Sequence, residues 1–582
     1  MEEKVESKQG QVVVDRASGQ WSDLWKKEDY WAIWLGFFIL IVGLIIYLPR
    51  GPADMREKLN TADATLKAEA AKAPFKTIAW HKAKSAKKFR GTDTSAGKAV
   101  KYFTNTPQKW VGNPIDAFYY GKSAADEANA KAKPKYEDAK AKEETAFAAA
   151  QAAEAAAEAA GFKDEALNKT ADDAINAWQA AHAKASSAKS KASTKPYNLI
   201  PSLIALMIVL GVFFGIGIHV MGRSFVDFFK GFIFVFIIAV LAYMGGKQAT
   251  MSYYGIGDPA WAIIFGMLIS NTVGTPKWVM PAVQTEYYIK TGLVLLGAEI
   301  LFGKILAIGT PGIFVAWVVT PIVLVGTFIF GQKVVKMPSK TLNITISADM
   351  SVCGVSAAIA TAAACRAKKE ELTLAVGLSL VFTAIMMVAM PAFIKAVGMP
   401  YILGGAWMGG TIDATGAVAA AGAFLSDKAL YVAATIKMIQ NVLIGVTAFF
   451  VALYWVAKID RLPGQAVSAM EIWYRFPKFV IGFIIASIIY SLLDAGLGKD
   501  ISSNLLDHGA VRGFSRLFRG WFFCLAFTSI GLATNFRELA HYFKGGKPLI
   551  LYVSGQTFNL ILTLLMAYVM FYKVFPEITA RI

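Results

Sequence analysis

Several things are scarce in this 582-residue chain, and each scarcity removes a class of function. Charged residues make up only 17% of it. Three cysteines, Cys353, Cys365 and Cys524, are too few for a disulfide framework; all lie in apolar stretches, where a thiol behaves as a small hydrophobe. The five histidines are scattered, with no His-Glu-x-x-His or Cys-x-x-Cys to hold zinc. No Gly-x-x-x-x-Gly-Lys-Ser/Thr run is present to cradle a nucleotide phosphate; the nearest approach, Gly496-Leu-Gly-Lys-Asp, lacks the spacing and the hydroxyl. No reading as an enzyme finds support.

What is abundant is apolar. Hydrophobic residues reach 55% and aromatics 13%, with a mean hydropathy of +0.46. Repeated runs of about 20 apolar residues define an all-α polytopic membrane protein. The net charge of +18 does not indicate nucleic acid, because the basic residues sit in one Lys/Ala-rich stretch or in short loops between spans. A polar tail, residues 1–29, precedes the first span without a cleavable signal.

The first transmembrane segment occupies residues 30–50, entered by Trp21, Trp25, Trp31 and Trp34 and ended by Pro49-Arg50-Gly51-Pro52. Residues 51–196 form a soluble insertion. Its stretches 59–100 and 123–195 are dominated by Ala, Lys and Glu, which predicts long helices packed through alanine faces as an antiparallel pair. An aromatic loop, 103–122, separates them and is expected to pack on the membrane face of the protein; a partner-binding surface is the alternative.

Residues 197–582 carry the remaining spans, near 199–221, 226–244, 258–272, 287–308, 311–331, 371–395, 430–457, 476–494, 514–534 and 548–573. The total is about eleven. Two further segments, 344–365 and 404–424, consist of small and polar residues that cannot face lipid. They are expected to be broken or re-entrant helices lining a cavity.

Loop charge orients the chain. With the amino terminus inside and both odd segments entering and leaving on one side, Arg223, Lys230, Lys333, Lys336, Lys340, Arg366, Lys368 and Lys369 fall inside. So do Lys458, Arg461, Arg475, Lys478, Arg537, Lys544 and Lys547. Lys247, Lys304, Lys395 and Lys428 fall outside, and the outside cluster Arg512, Arg516 and Arg519 runs against the rule. The two odd segments then enter from opposite faces with their tips near the midplane, and the insertion lies outside.

Ionisable groups at membrane depth mark function by default. Asp349 stands beside Ser351, Cys353, Gly354 and Ser356; Asp413 stands beside Thr411 and Thr415. Carboxylate, hydroxyl and free carbonyl together are the ligand set of a dehydrated sodium ion, and a carboxylate alone relays a proton. Exposed amides at a half-helix amino terminus suit an anion instead. The competing reading makes both aspartates helix caps. Lys437 and Asn441 lie in one late span; Lys437 invites pairing with Asp349 or Asp413, or a role in attracting an anion. Glu299 with Lys304 reads as a structural pair.

Val352-Cys-Gly-Val-Ser-Ala-Ala-Ile-Ala360 resembles the Ile-Cys-Gly-x-Ser-Ala signature of an uncharacterised membrane family labelled sulfate exporters. Gly292 to Gly297 resembles its Gly-x-x-Leu-Leu-Gly, and Gly405-Ala-Trp-Met-Gly-Gly-Thr-Ile412 its Gly-x-Trp-x-Gly-x-x-Ile. Ser529 to Phe536 and the Trp110…Asn113-Pro114 loop are similar too, and the likeness covers residues 199–575. That family is similar to the cation–proton antiporter and bile-acid symporter superfamily. The resemblance implies inverted repeats, a homodimer in a bacterial-type inner membrane, and secondary active transport of a sulfate or sulfonate-like anion coupled to sodium or protons. Where the family has Ile-His-Asp, this chain has Ile412-Asp413-Ala414, which strengthens a cation site. A cation–proton exchanger without anion substrate is the second reading; a membrane-anchored sensor or scaffold acting through the external helices is the third.

Overall fold

A computed structural model describes residues 20–50, 54–88, 94–253, 256–300, 302–460, 473, 477–539 and 546–580. The chain forms two compact units. Much of the polar tail, and the loop residues Arg461, Arg475 and Lys544, lie outside the described residues.

The smaller unit comprises Ile41–Leu206 and Leu493–Ser515. Its main feature is an antiparallel pair, Lys122–Ala159 and Glu165–Lys191, of 38 and 27 residues. The turn between them places Gly161 and Phe162 at positive φ, and Asp164 caps the second helix through the amides of Ala166 and Leu167. The alanine faces close the pair, with Ala125, Ala150, Ala157, Ala171 and Ala185 buried, and Ile175 and Trp178 join Ile78 in a small core. The stretch 59–100 departs from the expected long helix. It folds as the short helices Met55–Lys72, Ile78–Ala86 and Ser95–Phe103, because Pro74 forbids continuation and Thr77 and Thr94 start new helices as side-chain caps.

The larger unit comprises Met1–Leu40, Met207–Leu492 and Arg516–Ile582. Among the described residues of the whole chain, nine helices are long and apolar enough to cross a membrane. One boundary differs from expectation. The break between the spans near 287–308 and 311–331 falls at Ile300, where the backbone turns extended. Helix then runs from Phe302 to Lys333 through Pro311, and a wider π-type turn at Phe314–Val318 follows the proline.

The two odd segments fold back on themselves as helical hairpins, the first of which, Lys340–Ala364, also counts by length and hydropathy among the nine candidates. In the first, arms Lys340–Ala348 and Gly354–Ala364 are joined by a wide turn, Asp349–Cys353. Thr345 Oγ1 lies 3.9 Å from Cys365 Sγ, which lies 4.0 Å from the Thr341 carbonyl, so entry and exit are side by side. In the second, arms Tyr401–Thr411 and Thr415–Leu425 turn at Ile412-Asp413-Ala414. A Cβ at Gly405 would meet the Ala429 carbonyl at 2.7 Å, and one at Gly422 the Leu430 Cα at 2.8 Å, so both ends of this hairpin also lie together. Helix Lys369–Ala396 connects the hairpins. Its start is fixed to the first by Thr341 Oγ1 donating to Glu371 at 2.7 Å, and its end packs Ile394 on Gly404 of the second. The hairpins therefore approach from opposite ends of that helix.

Candidate functional site at the meeting of two hairpins

The tips touch. Gly354 adopts φ +49 and ψ −129, a conformation open to glycine and little else. A Cβ there would fall 3.2 Å from the Asp413 Cβ and 3.1 Å from Ser379 Oγ. Cys353 Sγ lies 3.9 Å from Thr415 Oγ1 across the junction. Gln440 secures both tips, its Nε2 lying 3.1 Å from the Ser351 carbonyl of the first and 3.1 Å from the Gly410 carbonyl of the second. Glycine also seats the second hairpin against helix Asp427–Asn441, which carries Gln440: a Cβ at Gly409 would meet the Ala433 carbonyl at 2.7 Å.

Both aspartates are sealed from solvent, at 0% exposure for Asp349 and 2% for Asp413. Asp413 Oδ2 accepts from Ser379 Oγ at 3.2 Å and from the Tyr552 hydroxyl. Asp413 Oδ1 and both oxygens of Asp349 have no hydrogen-bond partner among the described residues. Asp349 follows the first arm as its C-terminal cap residue through its backbone only, and among the described residues no side chain caps the second arm of either hairpin. Burying a carboxylate without a partner is costly enough that such a group holds a proton or a cation.

Lys437, 1% exposed, makes no ion pair with Asp349 or Asp413 among the described residues. Its ammonium donates to the Val352 carbonyl at 2.9 Å and to Gln440 Oε1 at 2.8 Å. It fixes the first tip from behind. The expected pairing fails because the first hairpin presents carbonyls, not its carboxyl group, to this lysine. Glu299 pairs with Arg519 and accepts from Tyr431 at 3.3 Å; the Lys304 side chain lies outside the described residues. Arg516 pairs with Asp427 and Arg512 with Asp507, so all three members of the cluster that offended the charge rule have a carboxylate partner.

A cavity of about 720 Å³ opens onto the junction from one side. Cys353, Val355 and Ser356 of the first hairpin and Ala414, Thr415, Gly416 and Ala417 of the second line it, with Asn441. These are the first turns of two eleven-residue helices, whose backbone N–H groups and dipoles favour an anion. Asn441 Nδ2 donates to Thr415 Oγ1 at 3.0 Å, which leaves the threonine proton available for another acceptor. The cavity lining also carries charge: Lys290 meets Glu28 at 2.8 Å and Asp29 at 2.9 Å, with Glu286 at 3.8 Å.

Of the ten residues singled out from sequence, Cys353, Ser356, Thr415 and Asn441 face the cavity, while Gly354 and Asp413 form the contact and Asp349 lies behind it. Ser351 and Thr411 turn their hydroxyls back onto their own helices, toward the carbonyls of Ser347 and Trp407. Ser379 and Tyr552 were not legible as site residues. Each is one of several hydroxyls in an apolar span, and only the fold brings it to Asp413. Lys290, two residues ahead of the Gly292 motif, carried no signal of its own.

This architecture defines the class: a multi-pass α-helical membrane protein with a buried polar site between two helical hairpins. The chain belongs to the family described as Conserved hypothetical protein 698, whose model matches residues 230–552. A UPF0324 membrane protein of Nitratidesulfovibrio vulgaris is 66% identical over 98% of this chain and 99% of its own. One from Rhodopirellula baltica is 55% identical over 67% of this chain and 72% of its own, and one from Nitrosomonas europaea is 31% identical over 56% and 74%. These names record a membrane protein and no activity. No solved structure matches the chain.

Proposed function

We propose that this protein is a secondary active transporter of a small anion, sulfate or sulfonate-like, coupled to protons or sodium by alternating access. The observation that carries the reading is the junction itself. Two hairpins entering from opposite ends meet tip to tip, with buried carboxyl groups on one side of the contact and two uncapped helix amino termini facing a cavity on the other.

In this reading the anion enters past Lys290 and rests on the amides of Val355, Ser356, Gly416 and Ala417, with Thr415 donating its hydroxyl. Asp349 and Asp413 take up the proton or sodium ion; their unpartnered oxygens, with Ser379 and the Tyr552 hydroxyl, fit either. Because Gly354 touches Asp413, charge on the carboxyl pair and occupancy of the cavity act on one contact, which is what coupling requires. The reading further includes about eleven membrane-crossing helices, inverted repeats, a homodimer, an inner-membrane location with the amino terminus inside, and the helical insertion outside. It is transport without catalysis.

The orphaned carboxyl oxygens favour one second reading, cation–proton exchange with no anion substrate. Uptake of labelled sulfate by proteoliposomes, with and without an imposed proton or sodium gradient, separates the two. Gradient-dependent uptake supports the first; cation exchange without sulfate movement supports the second.

A further inference from the structure

The geometry points to a bilayer anchor in the small unit: the loop between Trp110 and Tyr119 sits with its apolar tip in the interfacial layer of the membrane that helix Ile200–Val220 enters. This does not depend on the transport reading.

The tip is exposed and apolar. Val111 is 75% exposed, Ile115 61% and Tyr119 49%, an unusual grouping for a surface meant to meet only water. It is also well built. Asn113 Oδ1 accepts from the Ile115 amide at 3.1 Å, Asn113 Nδ2 donates to Asp116 Oδ1 at 3.2 Å, and the Gln108 amide donates to the Ala117 carbonyl at 2.8 Å. Little ordering entropy remains to be lost when such a loop meets a surface.

Its position is fixed by the start of the helix. Tyr119 and Tyr120 pair antiparallel with Asn198 and Tyr197, and the Leu199 amide donates to the Phe118 carbonyl at 2.8 Å. The residues before Phe118, Pro114–Ala117, coil into a short turn, and the Tyr197 hydroxyl donates to the Asp116 carbonyl, so the turn is tied to the segment just ahead of the helix. The helix has 21 residues, about 31 Å at 1.5 Å per residue, which is roughly the full thickness of the hydrocarbon core. Ile200 therefore marks the hydrocarbon boundary, and Ile200 and Ile204, each 50% exposed, face lipid. The Phe118 amide donates to the Ile115 carbonyl at 2.9 Å, so the tip is held within about one turn of chain of the residue bonded to Leu199, close to that boundary. Lys109 and Lys122 flank it, placed to reach lipid phosphates while the tip stays apolar.

Spin labels test this in the full-length protein reconstituted in phospholipid vesicles. Val111→Cys and Ile115→Cys are compared with Lys163→Cys at the turn of the long helical pair, in a background with the three native cysteines replaced by alanine. Labels at 111 and 115 are expected to collide more often with oxygen than with a water-soluble nickel chelate, and the label at 163 the reverse. Equal preference for the chelate at all three positions would overturn the anchor, as would low collision with both agents at 111 and 115, which would mean burial against a protein partner or a second copy. If that background does not fold, brominated lipids replace the labels. Native protein should lose more fluorescence than Trp110→Phe does, and identical quenching would overturn the proposal.

Discussion

Gly354 of the first hairpin abuts Asp413 of the second so closely that a methyl group at position 354 would stand 3.2 Å from the Asp413 Cβ. The contact joins the two halves of the site, and its backbone conformation, at φ +49, is one that side chains resist.

Gly354→Ala should therefore cost about 1–3 kcal/mol and force the tips apart. The expected outcome is loss of transport out of proportion to the loss of folded protein, measured as flux per unit of monodisperse protein. Wild-type flux from the alanine variant would show that the tip contact is incidental.

Glu299 and Arg519 form a buried pair, at 3% and 7% side-chain exposure. Removing one partner of such a pair leaves an uncompensated charge, so Glu299→Ala should destabilise by about 3–5 kcal/mol. Arg516, half-exposed in its pair with Asp427, should change stability by less than about 1 kcal/mol when replaced by alanine. Thermal unfolding of the two variants in one detergent checks the order; equal shifts would contradict it.

How much of this was legible in the sequence follows from which features are local. The hairpins were, because Gly404 to Phe424 and Ile344 to Cys365 hold too many small and polar residues for a lipid-facing helix. That their tips could meet is an expectation from loop charge combined with that composition. The partners of Asp413 were not legible, since Ser379 and Tyr552 come from helices distant in sequence and carry no periodic or charge signal of their own. The hydrogen-bond partners of Lys437 were not legible for a related reason. Its nearest acceptor is the backbone carbonyl of Val352, and which carbonyls a broken helix frees cannot be read from side-chain types. In the insertion, composition predicted helix correctly but could not say that Pro74 and two threonine caps would divide its first stretch.

The insertion should also respond to pH through His81. Burial pushes its imidazole below the ordinary value, and Lys76 and Lys84 push it the same way; the ring meets Trp80 and Trp178 edge-on. A depressed value means the folded state prefers the neutral ring. The stabilisation is present above the unfolded value of about 6.5 and is lost as pH falls through the folded one. Hydrogen exchange in helices Ile78–Ala86 and Glu165–Lys191 of the intact protein should quicken below that pH, and His81→Phe should remove the dependence. An unchanged pH profile in the variant would contradict the assignment.

The central claim is that charge on the Asp349–Asp413 pair drives movement of an anion held at the hairpin tips. Labelled sulfate uptake by proteoliposomes, under a proton gradient, a sodium gradient or neither, tests it most directly when wild type and Asp413→Asn are compared. The account predicts gradient-driven uptake in the wild type and its loss in the variant, with the variant folded normally. Uptake that responds to the gradient equally in both proteins would contradict it.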